Sequence, residues 1–122
     1  MKSYTDFVQC KKLAEILPLD SADMVFAYCD SFDEYTTFPR VLESSKNFNI
    51  YERDIPCWSL AVLFDMLKDN IKIEKTQLDQ SDIFTYSIIG DGYDYKTYEH
   101  KELIDACYEM IVKLHELNLL EL

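Results

Sequence analysis

The sequence predicts an α+β fold, in which a small antiparallel sheet packs against about three helices. Apolar residues recur at three- and four-residue steps near residues 4–17, 59–68 and 102–118, which is the spacing of one helix face. Residues 83–98 instead alternate around Gly90-Asp91-Gly92, which indicates a β-hairpin within a meander. A chain of 122 residues with 48% hydrophobic residues can bury a core, so we expect one domain over residues 1–122.

The first predicted helix spans residues 4–17 and ends before Pro18, which disfavours helical backbone at the preceding position. Ser3 followed by Asp6 resembles a capping box, with Asp in place of the usual Glu or Gln. The apolar residues of this helix share one face: Phe7, Cys10, Leu13, Ala14 and Leu17.

The stretch Ile55–Leu67 contains the only tryptophan, and we interpret it as the entry to a central core helix. Ser59 is predicted as the N-cap, because its hydroxyl can accept a backbone N–H of the first turn. Trp58 and Leu63 then occupy the two positions of a hydrophobic staple. The predicted buried face of this helix consists of Leu60, Leu63, Phe64 and Leu67.

Strands are predicted in three parts of the chain. Met24–Cys29 is a short, nearly continuous apolar run, which is typical of a buried strand. Residues 71–75 alternate, and residues 83–89 alternate most clearly before a return strand at 93–98. Residues 30–54 show no clear period.

The last predicted helix starts near Glu102. Glu109 and Lys113, four residues apart, are predicted to pair on its solvent face. Its core-facing residues step by four and three positions: Leu103, Cys107, Met110, Leu114 and Leu117.

The net charge of −11, from 23 acidic and 12 basic residues, repels phosphate backbones and anionic lipids. We therefore expect no direct nucleic-acid partner and no membrane partner. The N-terminal residues carry no apolar run of a secretory signal. The four cysteines are widely spaced and are interpreted as buried free thiols, which fits a reducing, cytoplasmic location.

The sequence lacks the motifs that carry chemistry. It has no CxxC or CxxH pattern for zinc, no Gly-rich phosphate loop, and no HExxH or GxSxG motif. We predict no catalytic residue, no cofactor and no metal site. The alternative is a small enzyme in which Cys107 is a nucleophile paired with His100 or His115.

One segment combines acidic and aromatic side chains in a way that suits an interaction surface, although a solvated loop is the simpler interpretation. Its candidate residues are Asp30, Phe32, Asp33, Glu34 and Tyr35.

Three stretches, taken in order, carry a resemblance to a known group. Leu17–Met24 ends in Ala-Asp-Met, Ile55–Leu63 contains Pro-x-Trp-Ser-Leu-x-x-Leu, and Asp105–Leu117 contains Asp-Ala-x-x-Glu-Met-x-x-x-Leu. Together they resemble small uncharacterised proteins of phages, prophages and other mobile elements of gut bacteria, of the Bacteroidetes type. Because the matching residues have the types expected of caps and core, the resemblance implies a shared fold rather than a shared active site.

The leading functional hypothesis is a non-enzymatic accessory protein of a phage or mobile element that binds a protein partner. The small Cys/His enzyme is the alternative from another class. An acidic DNA mimic that inhibits a nucleic-acid enzyme is the third hypothesis, and it requires carboxylates spaced along one face.

Overall fold

A computed structural model of the chain describes residues 1–42, 53–69, 71–92 and 94–120. Within these ranges it confirms the predicted α+β fold, with helices and small antiparallel sheets. The helices are α1 (Phe7–Ile16), α2 (Leu60–Leu67) and α3 (Leu103–Glu116), with a 3₁₀ turn at Leu19–Ser21. The strands are β1 (Met24–Phe26), β2 (Tyr28–Cys29), β3 (Glu34–Tyr35), β4 (Arg40–Val41), β5 (Ile55–Cys57), β6 (Ile71–Gln77) and β7 (Phe84–Gly90).

Helix α1 begins later than predicted because its N-cap is Asp6. The Asp6 carboxylate accepts the Gln9 backbone N–H at 2.9 Å, and Gln9 Oε1 accepts the Asp6 backbone N–H at 3.0 Å. The predicted Ser3–Asp6 capping box is therefore wrong, and the box is formed by Asp6 and Gln9. The residues before it are extended, and Tyr4 forms a β-bridge with Ser59.

Strand β1 lies between β4 and β5 in a three-stranded antiparallel sheet, with Met24 opposite both Val41 and Cys57. The predicted strand over 24–29 divides into β1 and β2. The division follows from a side-chain contact, since the Tyr28 N–H donates to an Asp54 carboxylate oxygen at 2.9 Å instead of continuing the β1 ladder.

Strands β6 and β7 form an antiparallel hairpin in which Ile73 lies opposite Ile88. The turn between them uses left-handed backbone at Asp79 and Gln80. Gly92 has φ +90°, which supplies the positive φ expected of the second turn.

The return segment after Gly92 runs antiparallel to β7, as predicted, but is held by isolated bridges at Ile89–Lys96 and Tyr86–His100. The ladder is interrupted because Thr97 Oγ1 accepts the Ile88 N–H at 2.9 Å.

Glu109 holds this return segment against α3. Its carboxylate accepts the Tyr95 hydroxyl at 2.6 Å and the Tyr98 N–H at 3.1 Å, and lies 2.8 Å from His100 Nε2. The predicted pair between Glu109 and Lys113 is wrong, because Lys113 Nζ lies over the Tyr95 ring at 5.0 Å. His100 thus has a structural partner on α3.

Trp58 is fully buried, and its indole N–H donates to Ser21 Oγ at 3.0 Å. Ser59 is the N-cap of α2, as predicted, and its hydroxyl accepts the Val62 N–H at 3.3 Å. The main core joins α1, α2, β7 and α3 around this tryptophan. It includes Leu13, Leu17, Leu63, Leu67, Ile88, Ile104, Cys107, Met110, Ile111 and Leu114.

The predicted buried face of α2 is confirmed at Leu63 and Leu67, and is wrong at Phe64. Leu60 is half-buried, and Phe64 is 37% exposed. Phe64 lines an apolar groove instead. None of the helices in the described ranges is long and apolar enough to cross a bilayer.

We expect Trp58→Ala to lower the free energy of unfolding by about 3 kcal/mol, because it removes a fully buried side chain and leaves a cavity. Val8→Ala on α1 is the control, since Val8 is 76% exposed and should change stability little. Chemical denaturation followed by circular dichroism measures both. A loss below about 1 kcal/mol for Trp58→Ala would contradict the central role of this side chain.

Candidate functional site

An apolar groove with a cavity volume of about 690 Å³ lies between α2 and the strands β1, β4 and β6. This volume falls within the range of ligand-binding clefts. Helix α2 supplies one wall through Leu60, Ala61 and Phe64. The strands supply the other side through Met24, Val41 and Ile73, and Leu103 at the start of α3 also lines the groove.

The groove exists because α2 and β7 both pack against α3, whereas β6 packs mainly on β7. The side of β6 nearest α2 is therefore left uncovered in the described part of the chain. Three lining side chains are exposed to solvent as a result: Val41 at 68%, Ile73 at 40% and Phe64 at 37%. Exposed apolar side chains that converge in one place are typical of binding surfaces.

Among the residues that the structure describes, Asp23 is the one charged residue that lines the groove. It is half-buried, and its Oδ1 accepts the Ser59 backbone N–H at 2.8 Å. Among the described residues, no Lys, Arg or His nitrogen forms an ion pair with it. The groove thus combines apolar walls with one carboxylate that lacks a cationic partner in the described ranges.

The predicted acidic-aromatic segment lies on the hairpin of β2 and β3. Phe32 is 75% exposed at its tip, and Asp30, Asp33 and Glu34 are exposed beside it. Tyr35 differs from these four residues. It is half-buried, and its ring packs edge-to-face on Phe7 at a centroid distance of 5.0 Å. The structure therefore groups four of the five candidates on the surface and assigns Tyr35 to packing.

Two of the acidic side chains in this hairpin have local partners. Asp30 forms an exposed ion pair with Arg53 at 3.9 Å, and the Arg53 guanidinium lies 4.7 Å from the Tyr28 ring centroid. The Tyr28 hydroxyl donates to the Asp33 carboxylate. Exposed pairs of this kind contribute little to the free energy of unfolding. The acidic side chains of the hairpin therefore remain accessible to solvent.

Cys10, Cys57 and Cys107 are fully buried, as predicted, whereas the prediction is wrong at Cys29, which is half-buried. Burial raises the pKa of the Cys107 thiol to about 12. The neighbouring Cys57 thiol and burial together raise the pKa of the Cys10 thiol. Thr5 Oγ1 lies 3.0 Å from Cys10 Sγ and 3.5 Å from Cys57 Sγ, so both thiols are held inside the fold.

No histidine in the described ranges is hydrogen-bonded to one of these thiols. His100 is engaged by Glu109, and His115 is exposed near the end of α3. Within the same ranges, no group of three or more His, Cys, Asp or Glu side chains is arranged to hold a metal ion.

Sequence reasoning missed the groove. Val41 falls in the stretch without clear periodicity, Ile73 reads as one residue of an alternating strand, and Phe64 is misassigned to the core. Asp23 reads as part of a connector between α1 and β1. One sequence feature pointed to this region, namely the large number of apolar residues in α2. Leu60 and Phe64 make the apolar stripe of this helix wider than the surface that a single neighbouring helix can bury.

We expect one rapidly reacting thiol when the folded protein is titrated with an aromatic disulfide reagent at neutral pH. Cys29 is half-buried and should react, whereas Cys10, Cys57 and Cys107 should react only after denaturant is added. The raised pKa of Cys107 keeps its thiol protonated well above neutral pH.

Cys29→Ser is the matched control and should leave no rapidly reacting thiol. A fast thiol that persists in this variant, with a rate that reports a pKa below the usual value, would instead favour the Cys/His enzyme.

The chain was compared with models of protein families, with curated proteins and with solved structures, and no match was found in any of the three comparisons.

Proposed function

We propose that this chain is a non-enzymatic accessory protein of a phage or other mobile element that acts in the cytoplasm by binding a protein partner. The apolar groove beside α2 is the proposed contact surface. The observation that carries the proposal is the convergence of Val41 from β4, Phe64 from α2 and Ile73 from β6, all of which are exposed. The resemblance of three sequence stretches to proteins of mobile elements supports the proposed origin.

Removing these side chains from water supplies the driving force for association. Apolar area buried at an interface contributes roughly 25 cal/mol per Å², and aromatic side chains in central pockets often dominate binding. Phe64 suits that role because it projects from a helix that Leu63 and Leu67 anchor in the core. A rigid wall of this kind requires little ordering when a partner binds.

The exposed hairpin tip is a second place where a partner can make contact. Phe32 presents its ring to solvent among Asp30, Asp33 and Glu34, which suits polar contacts around an apolar centre.

The burial of Cys107, the nucleophile of the alternative enzyme, supports binding over catalysis by this thiol. Nucleophilic cysteines are accessible and have a lowered pKa, whereas Cys107 is fully buried and has a pKa raised to about 12. The net charge of −11 supports a protein partner over a nucleic acid, because it disfavours contact with phosphates.

The test is a quantitative affinity capture from a lysate of gut Bacteroidetes, comparing the wild-type protein with Ala61→Arg. Ala61 is exposed and lines the groove, so Arg at this position obstructs the groove without entering the core. We expect a specific protein to be captured by the wild-type chain and to be depleted at least tenfold with Ala61→Arg. Val8→Arg is the matched control, because Val8 is 76% exposed on α1 and does not line the groove.

Equal capture by wild type and Ala61→Arg would remove the groove from the proposal. If the captured protein is a nucleic-acid enzyme whose binding depends on acidic residues and disappears with salt, the DNA-mimic hypothesis replaces it.

A further inference from the structure

We propose that the groove accepts an extended segment of the partner in which a Lys or Arg is flanked by apolar side chains, with the cation placed on Asp23. This inference rests on the proposed function, since it names the chemistry of the partner at the same site.

The first argument is the state of Asp23. A carboxylate that is half-buried among apolar side chains loses part of its hydration, and an opposite charge compensates that loss. Its Oδ1 accepts a hydrogen bond from the Ser59 N–H. Within the described ranges, no Lys, Arg or His side chain forms an ion pair with the Asp23 carboxylate. A Lys or Arg on the occupant supplies the missing charge, and a charge-assisted hydrogen bond is stronger than a neutral one.

The second argument is the charge of the whole chain. At −11, the protein attracts a basic segment and accelerates its association. The same charge opposes a second copy of this chain as the occupant, because two copies repel each other over the whole surface. Charge complementarity therefore favours a basic partner over self-association.

The third argument concerns the form of the occupant. Val41 and Ile73 line the groove from β4 and β6, and each of these strands is paired along one edge only in the described structure. Free strand edges present backbone N–H and C=O groups to which an extended chain can add. The apolar side chains of such a segment alternate into the groove beside Phe64. This arrangement suits an extended peptide better than a compact small molecule.

The test begins with a displayed library of random 12-residue peptides, selected against the full chain at low salt. Peptides that also bind the Ala61→Arg variant are discarded, so that the remaining ones depend on the groove. We expect the retained peptides to share a Lys or Arg between apolar residues. We also expect their affinity to fall at least tenfold when this cation is replaced by norleucine.

The matched protein variants are Asp23→Asn and Asp65→Asn. Asn at position 23 keeps an oxygen for the Ser59 N–H but removes the charge, and should weaken the cationic peptides at least tenfold. Asp65 is exposed on α2 and pairs with Lys68 outside the groove, so Asp65→Asn should leave the affinity within about twofold. If Asp23→Asn fails to fold, the norleucine peptides and the salt dependence of the wild-type affinity give the answer.

The outcomes separate this inference from the proposed function. Groove-dependent peptides without a cation preference, or with unchanged affinity for Asp23→Asn, overturn the cationic segment and leave the groove as a protein-binding site. A library that yields no groove-dependent peptide overturns both. A concentration-dependent dimer in light scattering that Ala61→Arg disrupts would replace the basic partner with a second copy.

Discussion

The contact between Thr5 and Trp58 fixes the arrangement on which the rest of the structure depends. The Thr5 N–H donates to the Trp58 carbonyl at 3.0 Å, and the Trp58 N–H donates to Thr5 Oγ1 at 3.2 Å. The Leu60 N–H continues this pairing by donating to the Ser3 carbonyl at 2.8 Å. These hydrogen bonds join the N-terminal segment to the start of α2, so that α1 and α2 enter the core from fixed directions. The groove begins at the end of this pairing, where Ser3 and Leu60 line it.

Much of the fold could be predicted from local patterns. Helical periodicity located α2 and α3, alternation located β6 and β7, and the glycines at 90 and 92 located the turn after β7. Ser59 was identified because a hydroxyl before an apolar run has one strongly favoured use. Phe64 could not be placed, because periodicity defines which side of a helix is apolar but does not define how far the neighbouring elements extend over it.

The candidate site was less accessible to sequence reasoning. Asp23, Val41 and Ile73 line one groove because of two strand pairings. Strand β1 pairs with β4, and β6 pairs with β7. Long-range pairing of this kind leaves no local trace in composition or spacing. The acidic-aromatic hairpin was visible because its residues are neighbours in the chain, but nothing local to the hairpin indicates that the Tyr35 ring packs on Phe7 of α1.

Helix α2 has eight residues and presents two adjacent faces to different surroundings. Leu63 and Leu67 face the core, whereas Ala61 and Phe64 face the groove. Under the proposed function, substitutions on the groove side are expected to change recognition at little expense to stability, and those on the core side to do the reverse. Positions 61 and 64 could then change with the partner, while the residues of α2 that face the core stay the same. If the groove is the contact surface, selection for specificity and selection for folding act on separate residues of one short helix.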